Sequence, residues 1–547
     1  MKRYALYTAA ALCVFASCSD QMDYSETNTY EKKDIVTEYD YVGGLVATIY
    51  RTLDYDYGQN YSGAMLASAT DEAEYAITGN TIEDYYNGSW SPTNPMKHVW
   101  DNSYQGITYC NLVLDEFQNL KFEDYQLNDD YDKQIHRYEN YKWEARWARA
   151  YFYFQLVRHY GGVPLVKNYI SAEESNKLSR NTSDEVFDFI IAECDAIKDS
   201  IIANPAKDLV YVEAPETGRA GQLAVLALKA EAALYKASPL FNPSGDQARW
   251  KAAAEAQKAV LDTAAVLGYE LANSYEGLWA TDNYSSADAC KEIILGRRVG
   301  DVSTPESYNF PAGIEGGKGG NCPTQNLVEA YENGDKRLSV TIAQNGDTKW
   351  PANNKSALET FYNGANAQPL TGGTPTGYYL KKLCHSAIDL QADSKKKTDK
   401  HTYTLYRLAT FWLNYAEAVF RCTGSAYDAG EFSYTPAEAL NKTRNRAGLA
   451  NIAEGLSADE FWKKYQNERF VELAFEGHRY YDVRRWKEAD KLFTQIKELK
   501  LTRNDETGEI TSAVNTVTRQ WDDKMYLAPI DQSDRMKNPN LSQNPGW

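Results

Sequence analysis

The chain has 547 residues, 43% of them hydrophobic, 24% charged and 13% aromatic, with 42 tyrosines. That length exceeds what one simple core organises and implies two or three packed units. Its 58 basic and 76 acidic residues leave a net charge of −18, which repels phosphate backbones and, with no basic run present, argues against nucleic acid as a partner. The chain opens MKRYALYTAAALCVFASC: basic Lys2 and Arg3, an apolar run from Ala5 to Phe15, then Ala16 and Ser17 before Cys18. The run is too short for a permanent membrane span. Residues 1–17 therefore read as a lipoprotein signal peptide and Cys18 as the lipidation site, whose acyl chains would hold the chain on a membrane. The alternative is an ordinary signal peptide with a chance cysteine. Polar residues 18–40 read as a tether.

Residues 41–265 read as a helical region interrupted by one conspicuous loop. Within 73–98, AEYAITGNTIEDYYNGSWSPTNPMKH, the rings of Tyr85, Tyr86 and Trp90 sit among Gly, Asn, Pro and Ser and have no helix face to occupy. Just upstream, Asp71, Glu72 and Glu74 cluster in ATDEAEY. Paired carboxylates can cleave a glycosidic bond, but three acids in four positions are more commonly a solvated helix start. Apolar periodicity of 3.6 then predicts helices over 141–162, closed by Gly161-Gly162 and Pro164, over 220–239 and over 248–265. Alanines at the contact positions, bulky rings between them and a partner helix a short loop away describe helical hairpins of the tetratricopeptide kind.

Residues 266–403 are rich in Gly, Pro, Asn and Thr and read as a large loop-rich insertion, which excludes a continuous solenoid. Its rings, Trp279, Tyr284, Tyr308, Phe310 and Trp350, form a second candidate binding patch. GIEGGKGGNCP (313–323) lacks Ser or Thr after Lys318 and is no phosphate loop. The C-terminal region, 404–547, contains predicted helices at 404–422 and 435–448, the second with Thr435 as N-cap, Pro436 at its first position and Gly448 beyond its end. The fold class expected is mostly α: a discontinuous helical core with a loop-rich insertion. The six histidines include no i, i+4 pair and no HExxH, and the six cysteines beyond Cys18 show no CxxC spacing. No metal site and no cofactor are expected, and buried single thiols are favoured over disulfides.

Residues 467–486, NERFVELAFEGHRYYDVRRW, hold five aromatics, four arginines and four acids. As one helix they would pair Arg469 with Glu472, Glu476 with Arg479 and Asp482 with Arg485 at i, i+3, and place Val471, Ala474, Phe475 and His478 on one stripe. Gly477 in mid-helix then calls for close packing. The reading is structural bracing, with His478 a packing residue and no general base.

This stretch resembles the C-terminal signature of the SusD/RagB family. The resemblance extends to EARWARAYFYFQLVRHYGGVPLV (144–166), VWDNSYQGITYCNLVLDEF (99–117), the ending YLAPIDQSDRMKNPNLSQNPGW (526–547) and the lipoprotein start. It implies a SusD-like fold and a non-enzymatic lipoprotein of the outer membrane, exposed at the cell surface. Such a protein captures oligosaccharides or polysaccharides and delivers them to a SusC-type TonB-dependent transporter. The acidic stretch SDQMDY after Cys18 is similar to signals for surface export. Peptide or glycopeptide capture, as in RagB-like members, is the alternative, and a cell-surface glycosidase a lesser one. Sugar rings stack their C–H faces on aromatics while planar polar groups hold their hydroxyls. Resembling proteins carry a stacking tryptophan in the loop before the VW helix, which selects Trp90, with Tyr85, Tyr86 and Asp71 beside it and the insertion rings as a second patch. The alternative for Trp90 is a ring that pins its loop, and for Asp71 a helix cap.

Overall fold

Four of the main helices in the computed structural model start where a side chain satisfies one of their first free N–H groups. The structure describes residues 32–209, 217–348, 350–351, 354, 356–361 and 373–547; the signal peptide and Cys18 lie outside them. Thr182, Thr435 and Ser457 each accept the N–H of a glutamate three residues on, while that glutamate returns the bond. These reciprocal caps fix three starts. The main helices are α1 (Tyr39–Thr52), α2 (His98–Glu116), α3 (Tyr131–Tyr160), α4 (Ser183–Ile197), α5 (Gln222–Ala237), α6 (Gln247–Leu267), α7 (Thr304–Asn309), α8 (Leu408–Thr423), α9 (Pro436–Arg446), α10 (Ala458–Glu472) and α11 (Arg479–Arg485). Residues 39 and 40, assigned to the tether from sequence, thus open α1.

Successive helices from α2 to α6 pack each on the next, and α6 packs on α8 although the whole insertion lies between them. That contact makes the helical core one body from discontinuous sequence. Small residues set the approach: a Cβ at Gly106 of α2 would stand 2.3 Å from the ring of Phe152 in α3. No described helix is long and apolar enough to cross a membrane.

Among the described residues, the strands form four antiparallel pairs. They are β1 (Ala73–Tyr75) with β3 (Asn321–Pro323), β2 (Ile293–Val302) with β6 (Asp399–Arg407), β4 (Ile342–Ala343) with β5 (Tyr379–Leu380), and β7 (Gln495–Arg503) with β8 (Ile510–Thr518). The expected helix 404–422 loses its first turn to β6. Thr404, Tyr406 and Arg407 pair with Gly296, Leu295 and Ile293 in β2, so the ladder takes the hydrogen bonds a helix would have used. All six described cysteines are free thiols.

The charged segment 467–486 is not one helix. α10 ends at Glu472, Phe475 and Gly477 take φ of +63° and +75°, and α11 starts at Arg479. Gly477 serves the left-handed turn of that break and not a close packing contact. Of the three expected i, i+3 pairs only Asp482–Arg485 forms, at 2.8 Å. The other charges reach much farther. Arg407 meets Glu472 Oε1 (2.6 Å), Glu476 Oε2 (2.6 Å) and Glu292 Oε1 (2.8 Å). Arg337 bridges Asp335, Glu468 and Glu472. Arg485 grips Glu417 through two bonds of 2.7 and 2.6 Å, and Arg469 holds Asp482 at 2.6 Å. Burial works to raise these carboxyls, but the arginines win: Glu472 is held far below the usual range by Arg446, Arg407 and Arg337, and Asp482 is drawn down to about 2 by Arg469 and Arg485. Forked arginine–carboxylate pairs are the ion pairs that tolerate burial. The bracing role expected of this stretch holds, through pairs between elements and not along one helix.

Candidate functional site

Most of the rings expected to grip a ligand are packed. Trp90 is 4% exposed; its indole N–H donates to Pro95 O at 3.2 Å, and its ring lies between Tyr85 (4.8 Å) and the terminal Trp547 (5.2 Å). It pins its loop. Tyr85 is fully buried, with its hydroxyl 2.8 Å from that of Tyr61. The half-buried Tyr86 carries the Arg519 guanidinium on its face at 4.2 Å. Asp71 is no ligand group and no cap: it forms a buried two-bond pair with Arg479, at 2.8 and 2.6 Å. Its neighbour Glu72 is buried and pushed up to about 8 by that burial, accepting the Phe475 N–H at 3.1 Å. These acids are structural.

The second patch divides in the same way. Trp279 is buried under Lys382 Nζ (4.3 Å). Phe310 and Trp350 are buried against each other, edge to face at 5.5 Å. Tyr284 is half-buried, with its hydroxyl accepting the Gly296 N–H at 2.8 Å. A loop lacks the repeating hydrogen bonds of a helix, so the rings it carries become the plugs that hold it; this is why loop position misled the sequence reading.

Tyr308 is the exception. It sits in α7, half-buried, and Lys318 Nζ stands over its ring at 4.7 Å. Lys318 is exposed and pairs with no carboxylate among the described residues, so a ligand can displace it. The ring edge runs along the Ser62–Gly63 turn. Gly63 has φ +109°, and a Cβ there would lie 2.8 Å from Tyr308 Cδ1 and 2.2 Å from the Tyr75 hydroxyl. Tyr75 donates to Ser62 O at 3.2 Å. The β1–β3 ladder joins this turn to the insertion: Ala73, Glu74 and Tyr75 pair with Pro323, Cys322 and Asn321, and the Ala76 N–H continues to Gly320 O at 2.9 Å. Exposed Ile77 follows directly.

Asn321 locks the arrangement from below. Its amide donates to Gly63 O (3.1 Å) and Asn309 Oδ1 (2.8 Å), and its Oδ1 accepts from the Met65 N–H (2.7 Å) and the Ser68 hydroxyl (2.8 Å). All four side-chain valences are used and the residue is fully buried. The two segments singled out from sequence, 73–98 and 266–403, therefore do meet, through the β1–β3 ladder, and the side chains at that seam are Ser62, Tyr75, Ile77, Tyr308 and Lys318. Of these the sequence reading had named only Tyr308.

Two hollows lie nearby. An enclosed cavity of about 80 Å³ is lined by Asp54, Asp56, His98, Arg158, Glu231 and His478, among others. That volume suits a few waters and is too small for a sugar ring. Burial raises Asp56 and Glu231 to about 7 each. A groove of about 520 Å³ between Arg51, Asn60, Asn102, Gln105 and Arg297 offers polar groups. Its tyrosine, Tyr55, is capped by Arg297 at 4.0 Å, and that arginine is tied to Arg51 O. Among the described residues one metal-type cluster, unforeseen from histidine spacing, also forms: Glu306, His385 and His401.

Two family models match the chain. One, described as the SusD family, covers residues 275–547; the other, described as starch-binding associating with outer membrane, covers residues 20–228. A SusD-like protein of Bacteroides ovatus is 24% identical over 503 residues, 89% of this chain and 83% of the relative. A SusD-like protein of Formosa agariphila is 23% identical over 425 residues, 74% of this chain and 73% of the relative. Among solved structures, a SusD-like protein from Bacteroides fragilis superposes with a TM-score of 0.75 at 22% identity, covering 94% of this chain and 98% of that one. A SusD-like carbohydrate-binding protein from the same organism gives 0.73 at 20%, covering 93% and 100%, and a laminarin-binding SusD-like protein 0.65 at 19%, covering 93% and 99%.

Proposed function

Since the chain belongs to the SusD family, we propose that it is a cell-surface binding protein that captures oligosaccharides on the Tyr308 shelf, without cleaving them, and passes them to a SusC-type transporter. Lipidation of Cys18 anchors it to the outer membrane in this reading. The observation that carries it is the half-buried ring of Tyr308, covered by an exposed lysine, at a seam whose backbone is held by the saturated amide of Asn321. A sugar face stacks on Tyr308, and the Ser62 hydroxyl and the Lys318 ammonium serve its hydroxyls. The neighbours named for carbohydrate or laminarin binding support the ligand class. A shallow shelf of this kind is worth about 4 to 7 kcal/mol, which corresponds to millimolar to micromolar dissociation constants. That range suits a protein that must release its cargo.

Calorimetry with a panel of β-glucans, α-glucans, fructans and glycopeptides tests the reading. Binding of one glycan class, weakened at least tenfold by Tyr308→Ala with unchanged far-UV spectrum and Tm, supports it. Full retention in Tyr308→Ala moves the site elsewhere, shortened products on chromatography replace binding by hydrolysis, and selective glycopeptide binding replaces the ligand class.

A further inference from the structure

Glu306, His385 and His401 come from three places, α7, the connection between β5 and β6, and β6 itself, yet their donor atoms all lie within 4.8 Å of one another. The side chains of Glu306 and His401 have no exposed surface, and His385 is 4% exposed. The two imidazoles stack at 3.8 Å with planes 11° apart.

The hydrogen bonds around the cluster leave it short of positive charge. His401 Nδ1 stands 2.8 Å from the carbonyl oxygen of Asp399, an acceptor, so Nδ1 carries a proton, and Nε2 offers its lone pair when the ring is neutral. That Nε2 faces Glu306 Oε1 across 2.9 Å, two acceptors head on unless a cation or a proton lies between them. His385 Nδ1 stands 3.3 Å from Asp399 Oδ2, which likewise places its proton on Nδ1 and the lone pair on Nε2. Glu306 Oε1 accepts the His385 backbone N–H at 2.6 Å, while Oε2 is buried with no partner at all. A buried carboxylate with an orphaned oxygen beside two ring lone pairs is costly when left uncompensated. Imidazoles whose far nitrogen is held by a carboxylate or a backbone carbonyl are the usual form of histidine bound to a metal, and here Asp399 supplies both holds.

We propose that Glu306, His385 and His401 form a structural site for a divalent transition-metal ion of the zinc type, with Asp399 as the positioning residue for both rings. Two nitrogens and one carboxylate oxygen suit zinc, cobalt or nickel; calcium and magnesium take oxygen ligands. Donors of a tetrahedral zinc stand about 3.4 Å apart, so on binding the His401–Glu306 pair opens slightly from 2.9 Å, inside a cluster no wider than 4.8 Å. The ion ties α7 to β6 and to the connection preceding it. Glu306 is two residues before Tyr308, so the same ion steadies the shelf from behind.

The test uses the whole mature chain, stripped with a chelator and dialysed against micromolar Zn²⁺ or Co²⁺, with metal counted by mass spectrometry after gel filtration. One retained equivalent is expected, with a Tm that rises and saturates at one equivalent and, for Co²⁺, visible bands of nitrogen and oxygen coordination. Ca²⁺ and Mg²⁺ shift nothing. His385→Gln and Glu306→Gln each lower retention at least tenfold, whereas Tyr308→Ala leaves retention intact whatever it does to glycan binding. If Glu306→Gln fails to fold, His385→Gln and the cobalt spectrum of the parent decide. Retention below 0.1 equivalent in the parent, or undiminished retention in His385→Gln, overturns the site.

Discussion

Residues 467–486 bury seven charged side chains in ion pairs, most of them with other elements of the fold, whereas the Tyr308 shelf presents one helix-borne ring and one loose lysine on a loop, held from beneath. Both regions are dense in the residue types that usually mark a binding site. The difference is whether every polar valence is already used inside the protein. Against the charged segment Arg407 of β6 alone engages three acids, and the carboxylates there are already taken up by arginines and a lysine. At the shelf, saturation stops at Asn321, and the side chains above it keep capacity to spare. Density of charge and rings therefore reports investment in structure or in recognition, and only the partner list separates the two.

The comparison breaks most visibly through Arg407. Arg407→Met takes one cationic partner from each of Glu292, Glu472 and Glu476, leaving them Arg446, Arg337 and Lys382, and is expected to cost about 3–5 kcal/mol, measured by urea unfolding; a loss under about 1 kcal/mol would deny the segment its bracing role. Asn321→Ala comes next. It leaves Gly63 O and the Met65 N–H without partners and is expected to cost about 1–3 kcal/mol, with glycan affinity falling as the Ser62–Gly63 turn loosens. Unchanged affinity would show that the turn is held by other bonds.

A smaller effect tests His478, which lines the enclosed cavity at the break between α10 and α11. Burial, helped by Arg469, lowers its pKa to about 3 from an ordinary 6.5. The folded state thus keeps it neutral where the unfolded chain protonates it, so its contribution to stability falls as pH drops from 6.5 towards 3. Against the parent, His478→Gln should gain about 1.4 kcal/mol per pH unit through that window, read from denaturant midpoints at pH 7, 5.5 and 4.5. Parallel midpoint curves for the two proteins would mean that the ring is solvated. The smallest stability change belongs to Tyr308→Ala, within about 0.5 kcal/mol of the parent, although it carries the largest loss of binding. A destabilisation above about 2 kcal/mol would reclassify Tyr308 as one more plug.

Helices were legible because their signals are local: the 3.6-residue stripe of 220–239, and Thr435 with Glu438 three residues on. The family was legible from motifs in order. The shelf was not, because β1 and β3 pair residues about 250 positions apart, and no local pattern announces that Asn321 sits beneath Gly63. Trp90 misled because Gly- and Asn-rich sequence signals a loop without saying whether its rings turn outward. The break after α10 needed Phe475, a bulky residue, at positive φ; Gly477 was a visible signal there and was read as packing. The Glu306 cluster escaped because its ligands are scattered, and spacing rules find only those that share one element.

The free thiols give the molecule a built-in clock. Cys110 and Cys194 are buried in α2 and α4, Cys322 in β3 below the shelf and Cys384 beside the Glu306 cluster, and burial raises the pKa of all four. None can be alkylated until its surroundings part. The order in which the four gain mass under a thiol reagent will therefore date the opening of each half, with no label introduced by mutation.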